Sequence, residues 1–317
     1  RKNAFESPKT FEEYKNGMGR RALKSYLKYG YIPMEDSVME AFHTNEQVSR
    51  TLEYAYDDYA LAQAAKVLGK TEDYKLLMKR AANWRNVINP VTGWADGRYE
   101  NGKWLGNKDI LSRVPFITEG AAIHYSFYVP HDVYGLMKVM GGRDKYVSKL
   151  DYLFGISSAL GDSAFDKSYY WHGNEPCHQI PYMYAYAGLP WKTQRIVHNI
   201  LDNEYLDVPG GLSGNDDAGQ MSAWYIFSAI GFYPVCPASE YYVIGTPTFQ
   251  KVTIGNFVVE AENVSDKNFY IQSATYNGKP YTHNYITHEM VKGNGVLKFI
   301  MGSTPNQNWG CASNDCP

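Results

Sequence analysis

The sequence predicts a mainly α protein, built as an α/α toroid, that ends in a β-strand segment. Three observations carry this fold class. Up to about Gly231 the apolar residues recur at helical spacing. The helical stretches arrive as pairs joined by short turns marked by Gly or Pro, with long loops rich in Gly, Trp and His between them, notably residues 89–115. From about Tyr241 the pattern changes to short alternating runs divided by Gly and Asn. Paired helices with long loops at one end suggest an inner ring of helices carrying a cleft on the loop side.

In chain order the helical segments are residues 10–29, 49–68, 71–87, a stretch around 133–140, 144–154, 178–186, 192–203 and 217–230. In the last of these Met221, Trp224, Tyr225, Phe227 and Ile230 recur at helical spacing and point into a core. The runs YYVIG, KVTIG, FVVEA, FYIQSATY and VLKFI read as strands. Two portions follow, a helical one over residues 1–240 and a β-rich one over 241–317.

The chain has 317 residues, enough for one large domain or two, and an apolar content of 44% that supports a packed interior. A net charge of −2 gives no electrostatic reason to expect nucleic acid or an anionic membrane as partner. No stretch approaches the roughly 18 apolar residues that span a bilayer. No signal-peptide pattern follows Arg1, and the opening RKNAFESPKTFEEYKNG reads like the interior of a longer protein. Four cysteines are too few for a disulfide framework, although Cys311 and Cys316 could close a small loop at the tail. Twenty-eight Tyr, with 7 Trp and 13 Phe, supply flat apolar faces with polar edges that suit packing, wet interfaces and sugar rings alike.

Chemistry concentrates in residues 210–235, GGLSGNDDAGQMSAWYIFSAIGFYPV, where Asp216 and Asp217 stand in a glycine-bracketed turn at the mouth of an aromatic helix. A carboxylate there is supported by the helix dipole and free N–H groups. On the residues alone, Asn215 or Asp216 serves equally well as a simple N-cap. Glu119 lies in FITEGAAIHYSFYVP between Phe116, Ile117, Gly120 and Ala121, an apolar setting that would raise its pKa and keep it protonated. A helix-initial Glu answering the dipole fits the same residue. In HGNEP, Asn174 and Glu175 offer hard oxygen donors of the kind calcium prefers, or Glu175 pairs with a nearby cation. Asp57 and Asp58, consecutive in EYAYDDYALAQ, point in different directions along a helix, so only one can face a cleft.

These blocks, with GYIP (30–33), VSRTLEYAYDDYALAQ (48–63), TEG and VPHD (118–120 and 129–132) and GLPWKTQ (188–194), resemble the family 92 glycoside hydrolases, calcium-dependent exo-α-mannosidases, over most of residues 30–247. The resemblance implies an (α/α)6 barrel behind an N-terminal β-sandwich, with C-terminal strands returning to that sandwich. Six helix pairs are needed and this chain supplies about four, so the toroid is incomplete here and the chain corresponds to the C-terminal part of the enzyme, associated with its N-terminal part. The implied reaction is inverting removal of terminal mannose from glycans, including N-glycans. Its two carboxyl groups would lie roughly 6.5–9.5 Å apart, with room for one water.

Glu119 matches the family's general acid and Asp217 its general base. Some members read GDEDNG where this chain has GNDDAG, which leaves Asn215 in place of a neighbouring acid and Asp217 as the sole strong base. Asn174 and Glu175 match residues near a Ca²⁺ whose shell the sugar's O2 and O3 complete. Asp57, Asp58, Asn215 and Asp216 fall among the sugar contacts, with Trp171 and His172 beside the leaving group. Gly173 stands where members of different linkage preference vary. Cys177 replaces a common Ser and has no partner set for a thiol nucleophile. The resemblance also implies a secreted, periplasmic or cell-surface enzyme. Two other classes are a non-catalytic carbohydrate-binding or structural fragment, and a uronate lyase on an α/α toroid, which the residue set favours least.

Overall fold

A computed structural model describes residues 2–7, 10–16, 18–37, 44–156 and 169–317. The chain divides into two compact units, residues 1–169 and 170–317. The division falls within the helical portion, and the last two long helices pack with the strands that follow them.

The first unit contains α1 (Lys2–Phe5), α2 (Phe11–Lys15), α3 (Leu23–Tyr29), α4 (Gln47–Val67), α5 (Thr71–Ala81), the two-residue strands β1 (Ile88–Asn89) and β2 (Trp94–Ala95), α6 (Ala122–Tyr125), α7 (Val133–Val139) and α8 (Arg143–Phe154). The helix expected over 10–29 is broken. Thr10 and Glu13 form a capping box that starts α2, but Gly19 (φ +76°) and the left-handed Ala22 (φ +54°) interrupt the chain before α3. In α4 the buried positions Val48, Leu52, Ala55, Ala62 and Ala65 form one stripe, and Asp58 sits inside that stripe. Against it lies α5, with Glu72 and Asp73 in its first turn and Lys79 and Arg80 in its last, the order the helix dipole favours. The long loop after β2 is gathered by Asp96, whose carboxylate accepts from Asn89 Nδ2 and the N–H groups of Gly106 and Asn107, each at 3.1 Å.

The second unit contains α9 (Pro190–Asn203), α10 (Gln220–Ile230), β3 (Phe232–Tyr233), β4 (Tyr241–Ile244), β5 (Lys251–Ile254), β6 (Phe257–Glu262), β7 (Tyr270–Tyr276), β8 (Lys279–Pro280), β9 (Tyr285–Thr287), α11 (His288–Lys292) and β10 (Gly295–Gly302). Five strands order as β5-β6-β10-β7-β8, parallel only between β6 and β10, and three as β3-β4-β9. Every strand run read from the sequence is present. Along β10, Leu297, Phe299 and Met301 alternate inward with Phe257, Val259 and Trp309. Gln194 on α9 accepts from the Ile271 N–H at 3.0 Å, and His198 stacks on Phe269 at 4.0 Å, which ties the helix to β7.

Two helix expectations need correction here. Residues 178–186 form successive 3-10 turns (Ile180–Tyr182, Ala185–Ala187) because Pro181 has no N–H to continue an α-helix. The helix expected from 217 begins at Gln220, since Asp217, Ala218 and Gly219 are all left-handed. Cys311 and Cys316 are thiols whose sulfurs donate to the Trp309 and Ala312 carbonyls. No described helix is long and apolar enough to cross a membrane.

Candidate active site

In the first unit the Glu119 loop is fixed against the start of α4. The Pro115 carbonyl accepts from the Glu46 N–H at 2.9 Å and the Phe116 carbonyl from the Val48 N–H at 3.0 Å. Ser49 Oγ accepts from the Thr118 N–H at 3.0 Å and lies 2.9 Å from its hydroxyl. Glu119 follows with φ +51°, a left-handed conformation that costs a non-glycine residue roughly 1–2 kcal/mol. Its apolar neighbours Phe116 and Ile117 are buried, whereas the Glu119 side chain is exposed. The apolar setting read from the sequence thus anchors the backbone and does not enclose the carboxyl.

Asp58 is unavailable to a sugar. It has no exposed surface, and its oxygens accept from Arg20 Nη1 (2.6 Å), Arg80 Nε (2.7 Å), Arg80 Nη2 (2.9 Å) and Tyr26 (3.2 Å). A buried carboxylate on the core stripe needs such partners, which makes Asp58 part of the frame. Asp57 takes the outward direction, with its side chain about half exposed and Arg20 Nη2 at 3.3 Å.

In the second unit two loops lock together through glycines. A Cβ added to Gly173 would stand 2.5 Å from the Ser213 carbonyl oxygen and 3.0 Å from Gly214 Cα, and one on Gly214 would strike the Gly173 backbone. Only glycine at both places lets the HGNEP loop approach the GNDDAG turn this closely. Asp216 is half-buried and accepts from the Ser222 N–H at 2.9 Å, capping α10 from outside. Asn215 and Asp217 are exposed, and Asp217 (φ +45°) opens the left-handed run that Ala218 (φ +58°) and Gly219 (φ +94°) continue.

Behind these loops lies an aromatic wall. Tyr205 stacks on Trp224 at 5.9 Å with 6° between the rings and donates to the Met221 carbonyl. His172 Nε2 therefore donates to the Tyr205 oxygen (2.7 Å), while Nδ1 accepts from Tyr170 (2.8 Å). Burial, with His178 beside it, holds the His172 pKa down to about 2, so this ring stays neutral. His178, lowered by burial to about 4, donates through Nε2 to the His172 carbonyl and accepts from Gln220. His172 is 1% exposed with both ring nitrogens engaged, so it bears on the site through Tyr205. Trp171 on the same loop is half-buried. Cys177 is fully buried and its thiol is pushed up to about 12, as suits packing and not nucleophilic attack.

Asn174 is 5% exposed and its Nδ2 has no hydrogen-bond partner, which marks an amide turned toward a ligand or with its O and N interchanged. Glu175, half-buried, opens the 3-10 turn Glu175–Cys177 beside it. One carboxylate and one amide fit a hard cation in kind but leave most of its shell to other donors, and no group of three His, Cys, Asp or Glu could hold a metal among the described residues.

The catalytic domain of glycosyl hydrolase family 92 matches residues 1–303. The chain belongs to this family. A protein of Arthroderma benhamiae described as an uncharacterized secreted glycosidase is 33% identical over 94% of the chain and 41% of its own length. The family 92 α-mannosidase BT3965 of Bacteroides thetaiotaomicron is 39% identical with a TM-score of 0.84, over 95% of this chain and 40% of that one. The inverting mannosidase BT2199 of Bacteroides thetaiotaomicron VPI-5482 is 36% identical with a TM-score of 0.84, over 94% and 42%. The chain thus spans about 40% of the length of these relatives.

Within this family 92 chain the structure brings Trp171, His172, Asn174, Glu175, Asn215, Asp216 and Asp217 into one loop cluster of the second unit, and sets Glu119 and Asp57 on the first. Sequence reasoning did not find Tyr205, Tyr170 or Gln220, which hold the two histidines. Tyr205 lies in NEYLD, between two helices, where no periodicity or motif distinguishes it.

Proposed function

We propose that this chain carries the acid and the base of an inverting exo-α-mannosidase that releases terminal α-linked mannose from glycans. One observation supports this most. Among the described residues the acids in left-handed backbone are Glu46, Glu119 and Asp217, and Glu46 is half-buried in an ion pair with Arg50 at 2.9 Å. The other two are exposed, and they are the residues whose motifs match the family's acid and base. Strained backbone concentrates where a side chain must be aimed for chemistry.

In this mechanism Asp217 takes a proton from water as the water oxygen bonds to the anomeric carbon. Glu119 gives its proton to the departing glycosidic oxygen as the bond to that carbon breaks, so the anomeric centre inverts. Asn174 and Glu175 would hold Ca²⁺, which supplies Lewis-acid polarisation and orientation to the terminal sugar when bound. Asp57, Asn215 and Trp171 are the proposed sugar contacts, and Asp216 orients the turn. The helices of both units would join an (α/α)6 toroid completed by the rest of the enzyme, in a secreted, periplasmic or cell-surface setting.

In the full-length enzyme Glu119→Gln should lose at least about a hundredfold on alkyl mannosides or disaccharides while sparing mannosyl fluoride, whose leaving group needs no proton. Equal loss on both would remove Glu119 from the acid role. EDTA should abolish activity and Ca²⁺ restore it. A second reading is a carbohydrate-binding module without turnover. Calorimetry showing calcium-linked mannose binding by this chain, with no reducing sugar released by the full-length protein either, would favour that reading.

A further inference from the structure

Glu119 stands in disfavoured left-handed backbone, so the chain on each side of it must be held to keep it from relaxing. Its side chain is exposed, so packing does not set the aim of the carboxyl and the backbone must. On the N-terminal side the Thr118 N–H is bound by Ser49 Oγ at 3.0 Å. On the C-terminal side the partner is His124. Its Nδ1 accepts from the Ala121 N–H at 3.2 Å, and its Nε2 donates to the Tyr169 carbonyl at 2.7 Å. An N–H group aimed at Nδ1 leaves that nitrogen without a proton, so a single neutral tautomer makes both bonds. Burial keeps this ring below the usual histidine pKa, and Arg113 acts in the same sense. The Tyr169 N–H in turn donates to the Leu153 carbonyl at 2.8 Å, close to the end of α8. Between the two held amides lie Glu119 and Gly120, too short a span for φ at Glu119 to change sign without moving one of them.

We propose that His124 is a positioning residue for the acid step: by tying Ala121 to Tyr169 it fixes the backbone that aims the Glu119 carboxyl at the departing oxygen. The plainer role for the first of these bonds is a helix cap, since His124 is the third residue of α6 and accepts from the N–H of the cap residue Ala121. Two features go beyond capping. The helix has four residues, Ala122–Tyr125, too few to stand by its own hydrogen bonds. The second nitrogen reaches out of the helix to Tyr169, a bond that a cap does not use. Together they make His124 a brace between the Glu119 loop and the end of α8, of the kind that holds a reacting group on rigid elements. The inference rests on the reading of Glu119 as the acid.

Two variants of the full-length enzyme test it. His124→Phe keeps a planar ring and removes both nitrogens, whereas His124→Gln offers one acceptor and one donor. His124→Phe should lower kcat on methyl α-mannoside at least about tenfold, with KM and the turnover of α-mannosyl fluoride, whose leaving group needs no proton, changed by no more than about twofold. His124→Gln should recover most of the lost kcat. A residue that only supports the fold would lower both substrates together. Equal loss on both substrates, or loss on neither, therefore overturns the proposal, as does a His124→Gln enzyme no better than His124→Phe. His124→Leu, read by the same criterion, takes its place if the Phe variant does not fold. Glu119→Gln measured alongside separates the two claims. If it shows the selective loss and His124→Phe does not, the positioning role alone falls; if Glu119→Gln does not distinguish the substrates, the acid reading falls and this inference with it.

Discussion

Glu119, Asp217 and Ala218 hold φ angles of +51°, +45° and +58°, and each pays for this with strain that glycine would not feel. Ala218 has no side-chain chemistry to justify the conformation. Ala218→Gly should therefore stabilise the protein by about 0.5–1 kcal/mol, after the extra freedom glycine gives the unfolded chain, and leave activity intact. Glu119→Gly should stabilise by a similar amount and abolish hydrolysis of unactivated mannosides. Urea titrations check both, and a loss of stability at 218 would contradict the strain. The motifs singled out Glu119 and Asp217, but their left-handed backbone was not legible, because spacing carries no φ. The expected enclosure of Glu119 failed for a related reason: Phe116 and Ile117 are near it in sequence yet turn the other way.

At the scale of elements, α4 and the His172 loop respond to pH in opposite senses. Burial raises the Glu53 carboxyl on α4 to about 7, with Tyr128 hydrogen-bonded to it, against 4.5 when unfolded. The folded state then holds that proton more tightly, so the contribution is full below pH 4.5 and is lost as pH rises to 7, by at most about 3 kcal/mol. His172 and His178, lowered to about 2 and about 4 from 6.5, reject the proton when folded. Their contribution is full above pH 6.5 and is lost as pH falls toward 4 and below. Thermal proteolysis resolved by peptide should show the second unit losing stability as the pH falls from 6.5 to 4.5. Glu53→Gln should remove most of the first unit's weakening between pH 5 and 7. Identical pH slopes for the two units would contradict this. Element types were largely legible, since a period of 3.6 or 2 survives in α4, α9, β6 and β10. The 3-10 turns at 178–187 were not, because burial of Ile180, Tyr182 and Met183 imitates a helical stripe that Pro181 forbids.

At the scale of the whole molecule, the proposed acid Glu119 lies on one compact unit and the proposed base Asp217, with the candidate calcium residues, on the other. Family membership was legible because GNDDAGQMSAWYIFSAIGFYPV and HGNEP keep their order, and the structure adds why these two segments belong together: Gly173 and Gly214 permit no side chain between them. The account stands on Asp217 activating water on the face opposite the leaving oxygen. Proton NMR of the full-length enzyme during early hydrolysis of an α-mannoside tests this most directly: β-mannose should appear first and only later mutarotate, and α-mannose as the first product would contradict it.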